Sequence, residues 1–425
     1  MKVLLVTPVL AGSGETITAL HLAETLAGRG HQVLFLSSPF ARRFVEPRFP
    51  GRVRELGDDG ADNRRRWDAA LLELRPDAVV FADYALFAVP QGCAPLVDEP
   101  GWVESLDALD AALVTLDHFG FGQHSRPLEL GPPHLGFFGY LRFSALPRRM
   151  QVLLPCPMHE PGPVPGRRGE PFRYWSELPL GIPDAPRAAV RRRYLEGGEG
   201  LLVFHSVPNW TWRLAEALEL PLYRYLAEIL ELYLDGLPVT VVSVNNGGLL
   251  APPPRARIRV VNLAPLPPAE YEALLFAADL VLTENRVSIS MGKAVCGLQP
   301  CAVLRNGRRL LELAATLDGR LAEVVQEMER LRMGAVYPFE VFPNVTPGDL
   351  EEIGLYRGSS LPHAFRALEL FGGGETRDAL HALLTDPAER AALRARQRHY
   401  VDRLARLPDG AALLEGLVHG QRGAA

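Results

Sequence analysis

A chain of 425 residues with 48% hydrophobic content can bury more than one core, so two domains are expected. Its net charge of −5 offers no bulk attraction for nucleic acid or an anionic membrane, and no apolar run is long enough to span a bilayer. Cys93, Cys156, Cys296 and Cys301 lack any CxxC pairing, which argues against a zinc site and fits a reduced, cytoplasmic protein. The apolar start, Val3 to Leu10, contains Pro8 and flows into a glycine turn, so it reads as a first strand, over 2–7. A helix over 15–29, strand 32–37, helix 65–74, strand 78–82, a short strand near 95–97 and strand 111–116 follow. Buried apolar strands alternating with helices predict a parallel sheet covered on both faces.

Residues 155–198 break that pattern. Pro155, Pro157, Pro161, Pro163, Pro165, Gly166 and Gly169 precede Trp175 and a basic run, Arg191 to Arg193, a composition that reads as a linker or surface excursion. A second alternation begins at Leu201: strand 201–204, a turn over His205 to Asn209, helix 212–235, strand 238–243, an Asn245-Asn246-Gly247-Gly248 turn, strand 257–261 and helix 268–277. The fold class is therefore α/β, with two Rossmann-like parallel-sheet domains: 1–160, a linker over 161–198, and 199–425, closed by a helix over 388–407. Residues 335–371 match no recognisable element, and their aromatics, Tyr337, Phe339, Phe342 and Phe365, read as core.

The stretch 278–305 carries the most chemistry. A short strand, Leu280 to Thr283, runs into the polar turn Glu284, Asn285, Arg286. A helix then opens at Ser288, and a Gly297/Pro300 break leads to another strand. That order sets a positive helix terminus, the hydroxyls of Ser288 and Ser290 and an arginine at the C-terminal edge of a parallel sheet, where a diphosphate can be held. Other nucleotide fingerprints fail. The turn Gly12-Ser13-Gly14 is followed by Ile17 where a dinucleotide motif needs its third glycine, and Ser37 and Ser38 stand where its acidic residue would close the second strand. Gly292-Lys293 lies within a helix rather than a phosphate loop, and only Lys2 and Lys293 are lysines, so Schiff-base chemistry is disfavoured.

The Ala278-Asp279-Leu280-Val281 strand, polar turn, helix and Gly297-Leu298 step resemble the donor segment of GT-B glycosyltransferases, especially the group of the peptidoglycan N-acetylglucosaminyltransferase and the natural-product glycosyltransferases. Arg286 stands where that family has glycine, and Gly292 falls near its ribose-binding glutamate. The resemblance implies two Rossmann-like domains facing a cleft, with the last helix crossing back to the first domain. It also implies a nucleoside-diphosphate sugar as donor substrate, no cofactor, and a small-molecule acceptor. His205 and Ser206 match a turn near the donor phosphates, and Asn246 and Gly247 would line the nucleotide pocket. Glu284, Asn285, Arg286, Ser288 and Ser290 complete the donor set. No Asp-x-Asp cluster ends a strand, so arginine and helix terminus would carry the leaving-group charge without metal.

Aligning Ala19-Leu20 with the family puts Glu15 on the acceptor side as a general base, while its position equally favours the positive end of the first helix. Asp117 and His118 follow the apolar run Leu113 to Leu116 and provide a second proton-transfer candidate, or a pair of solvated strand-end residues. The leading expectation is inverting, metal-independent glycosyl transfer. A non-catalytic GT-B relative that acts as partner of another enzyme, and a nucleotide-sugar 2-epimerase, stay open beside it.

Overall fold

The computed structural model describes residues 1–10, 14–84, 94–96, 101–118, 120, 146–166, 168–195, 199–207, 209–245, 249–252, 257–285, 288–336, 338–339 and 359–424. The chain divides into two compact units, the first built on Met1–Leu178 with Arg403–Ala425, the second on Pro179–Pro347 with Ser360–Asp402.

The first unit holds a seven-stranded sheet in the order β3-β2-β1-β4-β5-β6-β7. Its strands are β1 (Lys2–Thr7), β2 (Gln32–Ser37), β3 (Val53–Glu55), β4 (Ala78–Phe81), β5 (Ala112–Leu116), β6 (Gln151–Cys156) and β7 (Glu170–Arg173), all paired in parallel. The alternation of side chains along β1 sorts them onto two faces. Val3 and Leu5 join α1 (Gly14–Gly28) and the C-terminal helix Gly410–Ala424 through Leu20, Leu26, Ala411 and Leu414. Leu4 and Val6 join α3 (Gly60–Leu74) through Trp67, Ala70 and Leu74. Each such fully buried aliphatic side chain contributes about 1.5–3 kcal/mol, so both faces are held by strong apolar layers. α2 (Pro39–Val45) and α4 (Trp102–Asp107) are shorter.

The second unit repeats the plan with six strands in the order β10-β9-β8-β11-β12-β13. These are β8 (Leu201–Ser206), β9 (Val239–Val244), β10 (Arg259–Leu263), β11 (Leu280–Thr283), β12 (Cys301–Arg305) and β13 (Arg366–Glu369), again parallel. Helices α5 (Asp184–Tyr194), α6 (Asn209–Ala217), α7 (Leu222–Leu234), α8 (Pro268–Ala277), α9 (Ile289–Cys296), α10 (Leu310–Ala314) and α11 (Gly319–Arg330) accompany it. Leu222, Leu226, Ile229, Tyr233 and Leu234 give α7 its buried stripe. α9 ends at Gly297, where a Cβ would lie 2.4 Å from the Phe276 ring, so only glycine lets the end of α9 approach α8 this closely.

Both sheets are doubly wound. In each, the first strand sends the chain outward to one side (β1 to β2 to β3; β8 to β9 to β10) and the chain returns on the other (β4; β11). The carboxyl ends of β1 and β4, and of β8 and β11, are therefore switch points, where loops diverge and open a crevice.

Several elements differ from expectation. The single helix read over 212–235 is two, because Pro221 has no N–H to continue the ladder and Glu219 adopts φ +53. Residues 95 and 96 form no strand. The stretch read as linker carries β7 and α5, and the residues from Arg403 onward belong to the first unit. Phe339 and Phe365 are buried, while Tyr337 and Phe342 lie outside the described residues. Among the described residues, no helix is long and apolar enough to cross a membrane.

Candidate functional site

The switch point of the second sheet is built around His205, the penultimate residue of β8. Register pairs it with Ser243 on β9 and Leu282 on β11, so its ring lies between the ends of three neighbouring strands. Nε2 is 2.8 Å from Glu284 Oε1 and Nδ1 is 3.2 Å from Ser243 Oγ, with His205 and Glu284 both buried. With Glu284 ionised, Nε2 donates to it and Nδ1 accepts from the Ser243 hydroxyl. Asn245 Nδ2 in turn donates to Ser243 Oγ at 3.3 Å. Both ring nitrogens are thus engaged by the protein, and His205 and Glu284 act as a brace beneath the crevice.

Ser206 and the turn after β11 are tied together above that brace. Thr283 Oγ1 donates to the Ser206 carbonyl at 3.0 Å and accepts from the Asn285 N–H at 3.1 Å. Ser288 has extended backbone and caps α9, its hydroxyl accepting from Met291 N–H at 3.4 Å. Ser290 Oγ is 2.8 Å from the Tyr271 hydroxyl on α8. Burial holds the Tyr271 hydroxyl above the ordinary phenol value, opposed by hydrogen bonds with Ser290 and Ser206. Tyr271 thereby links the end of β8 to the first turn of α9. Lys293 is taken up in an ion pair with Glu272. Asn246, Gly247 and Arg286 lie outside the described residues.

In the first unit, buried titratable groups gather at the carboxyl ends of β4, β5 and β6. Asp83, Asp117, His118, His159 and Glu160 are all buried, as is Glu15 in the first turn of α1. Thr18 Oγ1 donates to the Gly14 carbonyl at 2.9 Å and lies 3.0 Å from His118 Nε2, which therefore carries the proton it shares with that oxygen. The hydrogen bond joining α1 to this strand end thus runs through Thr18, three residues from Glu15. The His118 N–H donates to Asp83 Oδ2 at 3.2 Å, and His159 Nε2 donates to the Asp117 carbonyl at 2.5 Å. Burial, reinforced by His159, pushes the His118 imidazole down to about 3, whereas burial pushes the Glu15 carboxyl up against an opposing backbone hydrogen bond. Glu160 is ion-paired with Arg403. Among the described residues, no group of three or more His, Cys, Asp or Glu side chains could hold a metal ion.

Sequence reasoning missed Thr18, Asp83, His159, Ser243 and Tyr271. One signal was available: Phe81-Ala82-Asp83 closes β4 as Thr115-Leu116-Asp117 closes β5, two adjacent strands running into an aspartate.

Comparison with known proteins comes to the same architecture. Spinosyn forosaminyltransferase SpnP superposes with a TM-score of 0.54 at 17% identity, over 98% of this chain and 99% of that one. Spinosyn rhamnosyltransferase SpnG gives 0.54 at 16%, over 98% and 100%. The crystal structure of Acinetobacter baumannii MurG gives 0.50 at 12%, over 98% of each chain. At such identities the likeness establishes the fold: the chain has the two Rossmann-like sheets of the GT-B glycosyltransferases. No curated protein matches the sequence. A family model described as a family of unknown function, DUF6365, matches residues 22–423.

Proposed function

We propose, for a chain that belongs to the family of unknown function DUF6365 and has the GT-B fold, that it transfers a glycosyl group from a nucleoside-diphosphate sugar to a small-molecule acceptor, with inversion and without metal. The observation that carries this reading is the convergence of Ser206, Asn285, Ser288 and Ser290 on the β8/β11 switch point, braced from below by the buried His205–Glu284 contact. Open α/β sheets bind ligands at such a crevice, and the positive amino end of α9 favours an anion there.

In the proposed step the acceptor oxygen forms a bond to the anomeric carbon as the bond from that carbon to the diphosphate oxygen breaks. The acceptor proton passes to a base in the first unit, and the diphosphate leaves with the electron pair. α9, Ser288 and Ser290, together with Arg286, would meet the charge that develops on the leaving oxygen, which is where fixed donors lower a barrier most. Glu15 is the better base. Its carboxyl is raised towards the working pH, while an imidazole held near 3 accepts a proton poorly. His118 then serves as a neutral neighbour that orients Thr18 and the start of α1.

The test is nucleoside-diphosphate release from nucleotide sugars, with a panel of small acceptors and with none, in the presence of EDTA. Acceptor-dependent release that survives EDTA supports the proposal. Epimerisation without acceptor would replace it by the epimerase reading. A protein that binds nucleoside diphosphate yet turns over nothing would replace it by the partner reading.

A further inference from the structure

The basic run of α5 and the long helix Pro387–Ala405 have no part in the crevice chemistry, and both are anchored at the opposite edge of the second sheet. Arg191 on α5 reaches the Gly200 carbonyl and the Asp279 carboxylate, which precede β8 and β11. On the long helix, Gln397 donates to the Gln299 carbonyl ahead of β12, and Arg396 to the His363 carbonyl ahead of β13. Both helices are therefore anchored at the amino ends of the strands, whereas Ser206, Asn285 and Ser288 sit at the carboxyl ends.

At that edge positive charge accumulates. Arg390, Arg394 and Arg398 are spaced four apart, so they lie on one face of the long helix, a like-charge pattern that opposes helix formation. Arg187 of α5 adds a fourth guanidinium. Burial, and then the charges of Arg390, Arg187 and Arg398, hold Arg394 below the ordinary guanidinium value. Two neighbouring acids are directed elsewhere: Glu389 lies 3.6 Å from Arg366, and Asp279 is held by Arg191. Among the described residues, none of the four arginines is ion-paired, and Arg390 Nε is buried with no hydrogen-bond acceptor. A buried donor without an acceptor and four like charges both cost stability, and one multiply charged anion would satisfy both.

We propose that Arg187, Arg390, Arg394 and Arg398 form a binding site for a di- or polyphosphate anion at the amino edge of the second sheet, distinct from the candidate donor crevice at its carboxyl edge. Planar guanidiniums suit phosphate oxygens because each presents paired N–H donors, and several of them together reward a ligand with more than one phosphate.

The experiment is calorimetric titration of the full chain with inorganic diphosphate at matched ionic strength in chloride. It compares wild type, the double variant Arg390→Gln/Arg394→Gln and the crevice variant Ser288→Ala. The expected result is saturable binding by wild type that weakens about tenfold or more in the arginine variant, the order of two lost charged hydrogen bonds, and persists in Ser288→Ala. In chloride alone the arginine variant should melt no lower than wild type, since its charges repel. Equal diphosphate affinity in wild type and the arginine variant would overturn the proposal. So would loss of all binding in Ser288→Ala, which would assign the anion to the crevice. A marked fall in melting temperature of the arginine variant in chloride would show the arginines to be structural and overturn it as well.

Discussion

The carboxyl edges of the two sheets share a topology and differ in what surrounds their histidines. At the end of β5, His118 meets a threonine hydroxyl and lies near a second buried histidine, and its imidazole is driven down to about 3. At the end of β8, His205 lies between a serine and a glutamate, 2.8 Å from the carboxylate, with both ring nitrogens in use. The first arrangement keeps an imidazole uncharged where Thr18 ties it to α1, the helix whose first turn carries the buried Glu15 with its raised carboxyl. The second converts a strand-end histidine into a crosslink between diverging strands. The first edge gathers buried titratable groups, and the second is crosslinked through its histidine.

The sharpest way to break this contrast is to remove the crosslink. His205→Ala takes the Nε2 donor away from the buried Glu284 carboxylate, and should lower the unfolding free energy by about 1.5–3 kcal/mol in urea titrations. Glu284→Ala should cost a similar amount. The double variant should cost clearly less than the sum, because the second change removes a partner already lost. Additive and small effects would show that the pair braces nothing. At the other edge the expected loss is kinetic. Glu15→Gln should reduce turnover about 10²-fold while leaving diphosphate affinity near wild type, as befits a base rather than a binding group. A stable and fully active Glu15→Gln protein would remove Glu15 from the mechanism.

How much of this was legible in the sequence follows from where each signal lies. The core strands β1, β2, β4, β5, β8, β9 and β11 are continuous apolar runs, and they are found where they were read. β7 is Glu-Pro-Phe-Arg at the edge of its sheet, too short and too polar to stand out, and its proline is tolerated because an edge strand has one neighbour. β6 carries Pro155 for a related reason: its pairing with β5 runs from Gln151 to Leu153, and beyond that point only β7 borders it. In the candidate site, His205, Glu284 and Ser288 are visible from the strand-turn-helix order, yet the hydrogen bonds that make His205 a brace depend on Ser243, thirty-eight residues away and silent in any local pattern. Long-range register, rather than composition, decides whether a strand-end histidine faces a ligand or the protein.

A third prediction uses pH to separate the two histidines. An ordinary histidine in the unfolded chain titrates near 6.5, while His118 in the folded protein is held down to about 3. Below 6.5 the unfolded state therefore binds a proton that the folded state refuses, and stability falls as pH falls through that window. The slope from this residue is about 1.4 kcal/mol per pH unit until the folded value is reached, and the contribution is fully present above 6.5. Glu15 acts in the opposite sense, since a raised carboxyl stabilises the fold at low pH and loses that contribution as pH climbs above its unfolded value near 4.5. Unfolding free energies of wild type and His118→Gln between pH 7 and pH 5 isolate the histidine. The variant should lose markedly less stability than wild type across that interval, and parallel curves would mean that His118 protonates in place.

The smallest effect separates cap from site at the other edge. Ser288 closes the amino end of α9 with an accepted hydrogen bond at 3.4 Å, long for such a contact, so Ser288→Ala should cost about 1 kcal/mol or less of stability, seen as a shift of a few degrees in melting temperature. If Ser288 also faces the leaving diphosphate, the same change should weaken nucleoside-diphosphate binding beyond what that loss of stability explains. Ser288→Gly is the control, because glycine serves an N-cap almost as well as serine and yet has no hydroxyl. Near-normal stability with weakened nucleotide binding in Ser288→Gly would identify the hydroxyl as a ligand contact. Recovery of both properties would reduce Ser288 to a cap and leave the N–H groups of α9, with Ser290, to hold the diphosphate.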